Sequence, residues 1–236
     1  MGDEHEDLLA LLVNRPRRDY TRLDWATVMV IRLIDARDRA GAQNDLVITH
    51  RAWPLELQHQ RPIPRRVVDA EIPLCATLTP QFNWSLWQGR PEEYPVTVLL
   101  ALEAVQAAAA QSPTSAEQLD LALRRAFFVH SRCIAMRHEI LAAARTCDTV
   151  DVDRLAADLD AGTYRSVLSA HVAQARADNV TCSGTLVRAD GTMVCNPATE
   201  TAWIGGTFPR GTPIVVADDP AVFDRIIAES LVPAWS

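Results

Sequence analysis

Five cysteines, Cys75, Cys133, Cys147, Cys182 and Cys195, are the side chains of this sequence best suited to covalent chemistry. They are widely spaced and none forms C-x-x-C, so neither a zinc ribbon nor a vicinal dithiol is written here. In a reducing compartment they read as free thiols, mostly buried. A Cys182–Cys195 bridge is disfavoured, because a hairpin turn centred on Asp190-Gly191 sets Cys195 opposite Leu186. A second cluster is Tyr20, Thr21, Arg22 and Asp24. A Tyr20 or Thr21 hydroxyl could bind a ligand, Asp24 could act as general base, and Arg22 offers a fork for a carboxylate. The plainer reading makes Asp24 a helix N-cap. His130, Cys133 and His138 invite a metal reading, but on one helix the step from 133 to 138 turns about 140°, so the three do not converge.

Composition removes further classes. All 23 basic residues are arginine, which excludes lysine Schiff bases and the lysine-containing phosphate loop. Thirty acidic residues give a net charge of −7, against general nucleic-acid binding. No apolar run reaches the roughly 18 residues of a membrane span, and the opening Met1–Asp7 is acidic where a secretory signal would be basic. A cytoplasmic protein is the expectation.

The elements that must position these groups follow from periodicity. Leu8–Val13 is an apolar run, strand or short helix, followed by a basic loop at 14–18. Asp24–Asp38 has helical spacing and Leu46–Trp53 reads as a strand. Seven prolines between 54 and 95 predict an irregular segment anchored by Trp53, Trp84 and Trp87, which could equally line a cleft. Residues 96–178 read as helical throughout, with one long helix over Ser115–Ala144. Beyond 179 come a hairpin, 185–188 with 192–195, a strand at 213–217 and a closing helix. This order suits an α/β fold, a thioredoxin-like mixed sheet with an all-helical insertion: body 8–95 and 179–236, insertion 96–178.

His50–Leu57, Asp69–Pro73, Tyr94–Thr97, Ala101–Gln106, Ser131–Ile134 and the hairpin Asp190–Pro197 together resemble the DsbA-like thioredoxin family of actinobacteria. That family is related to 2-hydroxychromene-2-carboxylate isomerases and kappa-class glutathione transferases. The resemblance implies an active site just after the first strand, where a Cys or Ser precedes Pro-Trp. Trp25 fits that tryptophan, but Asp24 stands for the proline and Leu23 or Arg22 for the thiol. The family's cis-proline corresponds to Gly184 in Val180-Thr181-Cys182-Ser183-Gly184. Cys182 and Ser183 then fall where relatives present backbone to a bound thiol or peptide. Cys182 is there a displaced nucleophile or a small buried thiol. The expected function is a redox-inactive relative that binds or transforms a small molecule or peptide between body and insertion, through Thr21, Arg22, Trp25, Trp53, Ser183 and Gly184. The alternatives are an isomerase or transferase dependent on a low-molecular-weight thiol, glutathione or mycothiol, and a residual thiol–disulfide oxidoreductase. The sequence leaves a homodimer open.

Overall fold

The first strand, β1, is Arg17–Thr21, where the sequence suggests the end of a loop, at 17 and 18, and then the approach to a helix. Its arginines are poor strand formers in isolation, but β1 is paired on both edges, and tertiary pairing overrides weak propensity. The computed structural model describes residues 17–21, 26–60, 62, 64–188, 191–206 and 210–231, so the run 8–13 and residues Arg22–Trp25 lie outside the described residues. Helix α1 spans Ala26–Arg39 and strand β2 Ile48–Ala52.

The proline-rich segment is more regular than expected. It holds a short helix, α2 (Leu55–His59), and a 14-residue helix, α3 (Arg65–Leu78). Pro64 stands at the α3 N-cap in extended conformation. Pro73 lies inside the helix, on its exposed side, while Val67, Val68, Ile72 and Cys75 are buried. Burial of that stripe outweighs the hydrogen bond that the proline ring removes.

Five helices follow: α4 (Leu99–Ala109), α5 (Pro113–Phe128), α6 (Arg137–Ala144), α7 (Val152–Ala161) and α8 (Arg165–Ala177). The single helix expected over 115–144 is thus two. The chain breaks after Phe128, with Ser131 at φ 51°. The hydroxyl of Ser131 accepts a hydrogen bond from the Gln88 amide at 2.8 Å. Ile134 prolongs the apolar stripe from within this loop, because it is fully buried in the same core. His130 and Cys133 accordingly sit in a loop and His138 on α6, so the premise of one shared helix fails.

Strands β3 (Thr185–Val187) and β4 (Met193–Cys195) form the expected hairpin. Strand β5 (Thr199–Ile204), unforeseen because its exposed residues do not alternate cleanly, pairs with β6 (Thr212–Asp218) as a separate ribbon. Helix α9 (Ala221–Leu231) closes the fold, its first turn held by Asp219 accepting from the Ala221 amide.

The main sheet has the order β2-β1-β3-β4, with β1 parallel to β2 and antiparallel to β3. Side chains alternate across it. Leu186 faces α1 and α9, packing with Met29, Leu33, Ile48, Phe223 and Ile227. Val187 faces the other way, toward Trp53, Leu55 and Ala175, while Ala52 meets Leu102 and Leu168. The largest core lies among the helices and also takes in Ile31, Val68, Ile72, Phe82 and Trp87.

Candidate functional site

The hairpin register decides what the cysteines can do. The Arg188 amide donates to the Thr192 carbonyl at 2.8 Å, and the Gly191 amide to the Arg188 carbonyl at 3.0 Å. These bonds close a loop of three residues, 189–191, with Gly191 at φ 86°. The strand bounds hold to within a residue, and the register expected from a turn centred on Asp190-Gly191 is off by one residue. Cys195 pairs with Thr185 rather than Leu186, and shares the sheet face of Thr185 and Val187.

Upstream of Thr185 the chain doubles back. Gly184 has φ 84°, and the Asn196 amide donates to its carbonyl at 2.9 Å. A Cβ at Gly184 would stand 2.5 Å from Asn196 Oδ1 and 3.7 Å from Met29 Sδ on α1, so any other residue would be strained by the positive φ and would have to displace the Asn196 side chain. The Thr185 hydroxyl donates to the Cys182 carbonyl at 2.8 Å, which fixes the curl. This brings Cys182 over Cys195, with the Cα atoms 6.1 Å apart, and the two form a disulfide. The expectation of free thiols is corrected for this pair, as is the objection that the register forbids a bridge. Cys75, Cys133 and Cys147 are free, and burial pushes the Cys75 thiol up.

Topology sets the bridge at a defined end of the sheet. The C-terminal ends of β1 and β2, the start of α1, the loop 181–184 and the end of β4 all lie there. Tyr20 is flanked by Arg51 and Thr185, and Thr21 by Ala52. Beneath this end runs a line of buried polar groups. Arg124, fully buried on α5, grips Asp120 through two hydrogen bonds of 2.6 and 3.1 Å. It also donates to the Thr27 hydroxyl, in the first turn of α1, at 2.6 Å. His50 Nδ1 on β2 lies 3.9 Å from Asp120 Oδ2. Burial pushes the Asp120 carboxyl up, but the charge of Arg124, with His50 and the direct hydrogen bonds, outweighs this and holds it below the usual carboxylate range. A fixed guanidinium is thereby carried from the helical half to the root of α1.

His171 on α8 accepts a hydrogen bond from the Ala52 amide through Nδ1 at 3.1 Å. Burial and the neighbouring Arg51 charge lower its pKa to about 4. The ring is neutral at pH 7 with its proton on Nε2.

Of the residues singled out from the sequence, Cys182, Ser183 and Gly184 come together in one loop. Tyr20 and Thr21 end the adjacent strand, and Arg22, Asp24 and Trp25 lie outside the described residues. Trp53 is buried against Ala175 and Val187. Trp84 packs between Phe82 and Phe128, at 5.0 and 4.8 Å, and Trp87 is buried beside Tyr94 and Phe127. These three tryptophans anchor the chain. Sequence reasoning weighed Cys195 as a partner and rejected it, and it passed over Thr185, His171 and the Asp120–Arg124 pair. The pair does leave a trace, for Asp120 and Arg124 stand four apart beside the core positions Leu119 and Leu123. Among the described residues no group of three or more His, Cys, Asp or Glu is placed to hold a metal, and no helix is long and apolar enough to cross a membrane.

No protein-family model matches the sequence, and no curated protein matches it. Solved structures do. One, described as a "putative protein disulfide isomerase" from Nitrosomonas europaea, aligns over 92% of this chain and 97% of its own, with a TM-score of 0.61 and 13% identity. The likeness extends to the helical insertion as well as the sheet. The chain thus has a thioredoxin-like fold with a helical insertion.

Proposed function

We propose that the chain performs thiol–disulfide exchange through Cys182–Cys195, accepting two electrons from a dithiol or two thiols and releasing them as a disulfide. The observation that carries this reading is the position of the bridge. It joins the loop 181–184, whose Gly184 lies against Met29 of α1, to the end of β4, with Cys195 exposed to an incoming thiolate. The fold is that of the Nitrosomonas europaea chain described as a "putative protein disulfide isomerase", which supports the reading. The dithiol of the related family lies elsewhere, before α1, where this sequence reads Arg22-Leu23-Asp24-Trp25. The redox couple has in this reading moved across the same end of the sheet. In a reducing cytoplasm it rests as the dithiol, in an oxidising compartment as the bridge.

The test is titration with dithiothreitol, following thiols by alkylation and the fold by circular dichroism, with oxidation of a reduced dithiol peptide as the activity. Reversible reduction of a folded chain, coupled to peptide oxidation and lost in Cys182→Ser, is expected. A bridge that opens only when the chain unfolds sinks the reading. The second reading, a redox-silent binder of a small molecule or peptide, is favoured by one observation: Gly184 replaces the proline expected there. In that case thermal unfolding rises with a bound metabolite while the bridge remains a clamp. A rise specific to glutathione or mycothiol would point to the thiol-dependent isomerase or transferase. A ligand at 100 times its Kd adds about 2.7 kcal/mol.

A further inference from the structure

The two sulfurs of the bridge are not equivalent. Cys195 ends an edge strand and is exposed, whereas Cys182 is half-buried under the turn that Gly184 makes. Among the described residues, only Cys182 has a polar partner at its sulfur: the buried Thr185 hydroxyl lies 3.4 Å from Sγ and 2.8 Å from the Cys182 carbonyl. A disulfide sulfur carries no proton, so that contact can be a hydrogen bond only with the hydroxyl as donor. In the bridged state the better-placed carbonyl takes the proton. Once Cys182 becomes a thiolate, the charged sulfur competes for it, and hydrogen bonds to charged groups are the stronger kind.

Resting on the exchange reading, we infer that Cys195 is the sulfur attacked, that Cys182 is the leaving thiolate, and that Thr185 is the positioning residue that sets this order. In the forward step an external thiolate bonds to Cys195 Sγ, and the Cys182–Cys195 bond breaks. The electron pair of that bond stays on Cys182, which the Thr185 hydroxyl then faces. In the second step another thiolate attacks the external sulfur of the mixed disulfide. The external disulfide departs and Cys195 is left as a thiolate. The two electrons come from the external thiols, and the protons those thiols lose go to solvent. Exposure governs which sulfur can be reached, and a stabilised leaving group quickens exchange there.

The experiment exposes the native, bridged protein to reduced glutathione, traps free thiols with N-ethylmaleimide and maps both modifications by peptide mass spectrometry. Glutathione on Cys195 with N-ethylmaleimide on Cys182 is expected. Glutathione on Cys182, or shared evenly, overturns the inference while leaving exchange itself intact. No adduct on either sulfur of a folded chain overturns both. Thr185→Val should slow adduct formation roughly tenfold, the worth of one hydrogen bond to a charged sulfur. In the reduced protein the same change should move the half-reaction point of Cys182 alkylation to higher pH. Thr185→Ser, which keeps the hydroxyl, should restore both. A Thr185→Val protein with unchanged rate and unchanged pH profile removes Thr185 from the role. Should that variant fail to fold, the adduct map on the native chain still decides which sulfur is attacked.

Discussion

The helical half and the sheet end of this protein are held together by different means. Between α4 and α8 the chain buries one continuous core, and its capping side chains are in place, Ser112 for α5 and Asp151 for α7. The sheet end has strands of three residues in β3 and β4, a left-handed glycine, and one covalent bridge. Stability is lodged in the helices, which leaves the end carrying the bridge free to depend on local geometry. The buried Arg124 joins the two, being rooted in α5 and bonded to α1.

The strongest way to break that division is to disturb the joint. Asp120→Ala removes the buried carboxylate that takes two of the hydrogen bonds of Arg124, and should cost about 3–5 kcal/mol in urea unfolding. Replacing both by apolar residues of similar volume should recover most of the loss. Opening the bridge comes next. The closed loop is short, so reduction should lower stability by up to about 3 kcal/mol while the helical far-ultraviolet signal is kept. Loss of that signal would show the two regions to be one cooperative unit. Gly184→Ala meets both a positive φ and the Asn196 side chain, and about 1–3 kcal/mol is expected, together with slower bridge formation.

The smaller effects sharpen the picture. His171 is held neutral in the folded chain, with a pKa of about 4 against about 6.5 when unfolded. The unfolded chain therefore binds more protons between those values. The contribution of His171 is complete above pH 6.5 and is lost as pH falls toward 4. After discounting for its partial exposure the loss is roughly 1 kcal/mol, and His171→Asn should flatten the pH profile of thermal unfolding in that window. Least of all, Arg39→Ala removes an exposed ion pair with Asp224, and a change under about 0.5 kcal/mol is expected.

The same contrast explains what the sequence could tell. Helices of the insertion are legible because apolar spacing, Ser112-Pro113 and Gly162 act within a few residues. The break at 129–136 is not, since Ile134 keeps the stripe while leaving the helix. α3 is hidden by Pro73, whose cost is met by burial that only the fold supplies. β1 is hidden for the converse reason, its strand character coming from two partners distant in sequence. At the site, the loop residues Cys182–Gly184 are legible as a group. Their bond to Cys195 hangs on a register that differs by one residue from a turn centred on Asp190-Gly191, a difference that composition does not encode.

That register also makes the chemistry of this chain heritable in an unusual way. With the turn at 189–191 kept, deleting one residue between Thr192 and Cys195 would change no cysteine, yet Cys195 would pair with Leu186 and change faces. Cys195 would point toward α1 and α9 and Cys182 would lose its partner. A single codon gained or lost in this edge strand would thus switch the bridge on or off, leaving both cysteines to mislead anyone who counts them in an alignment.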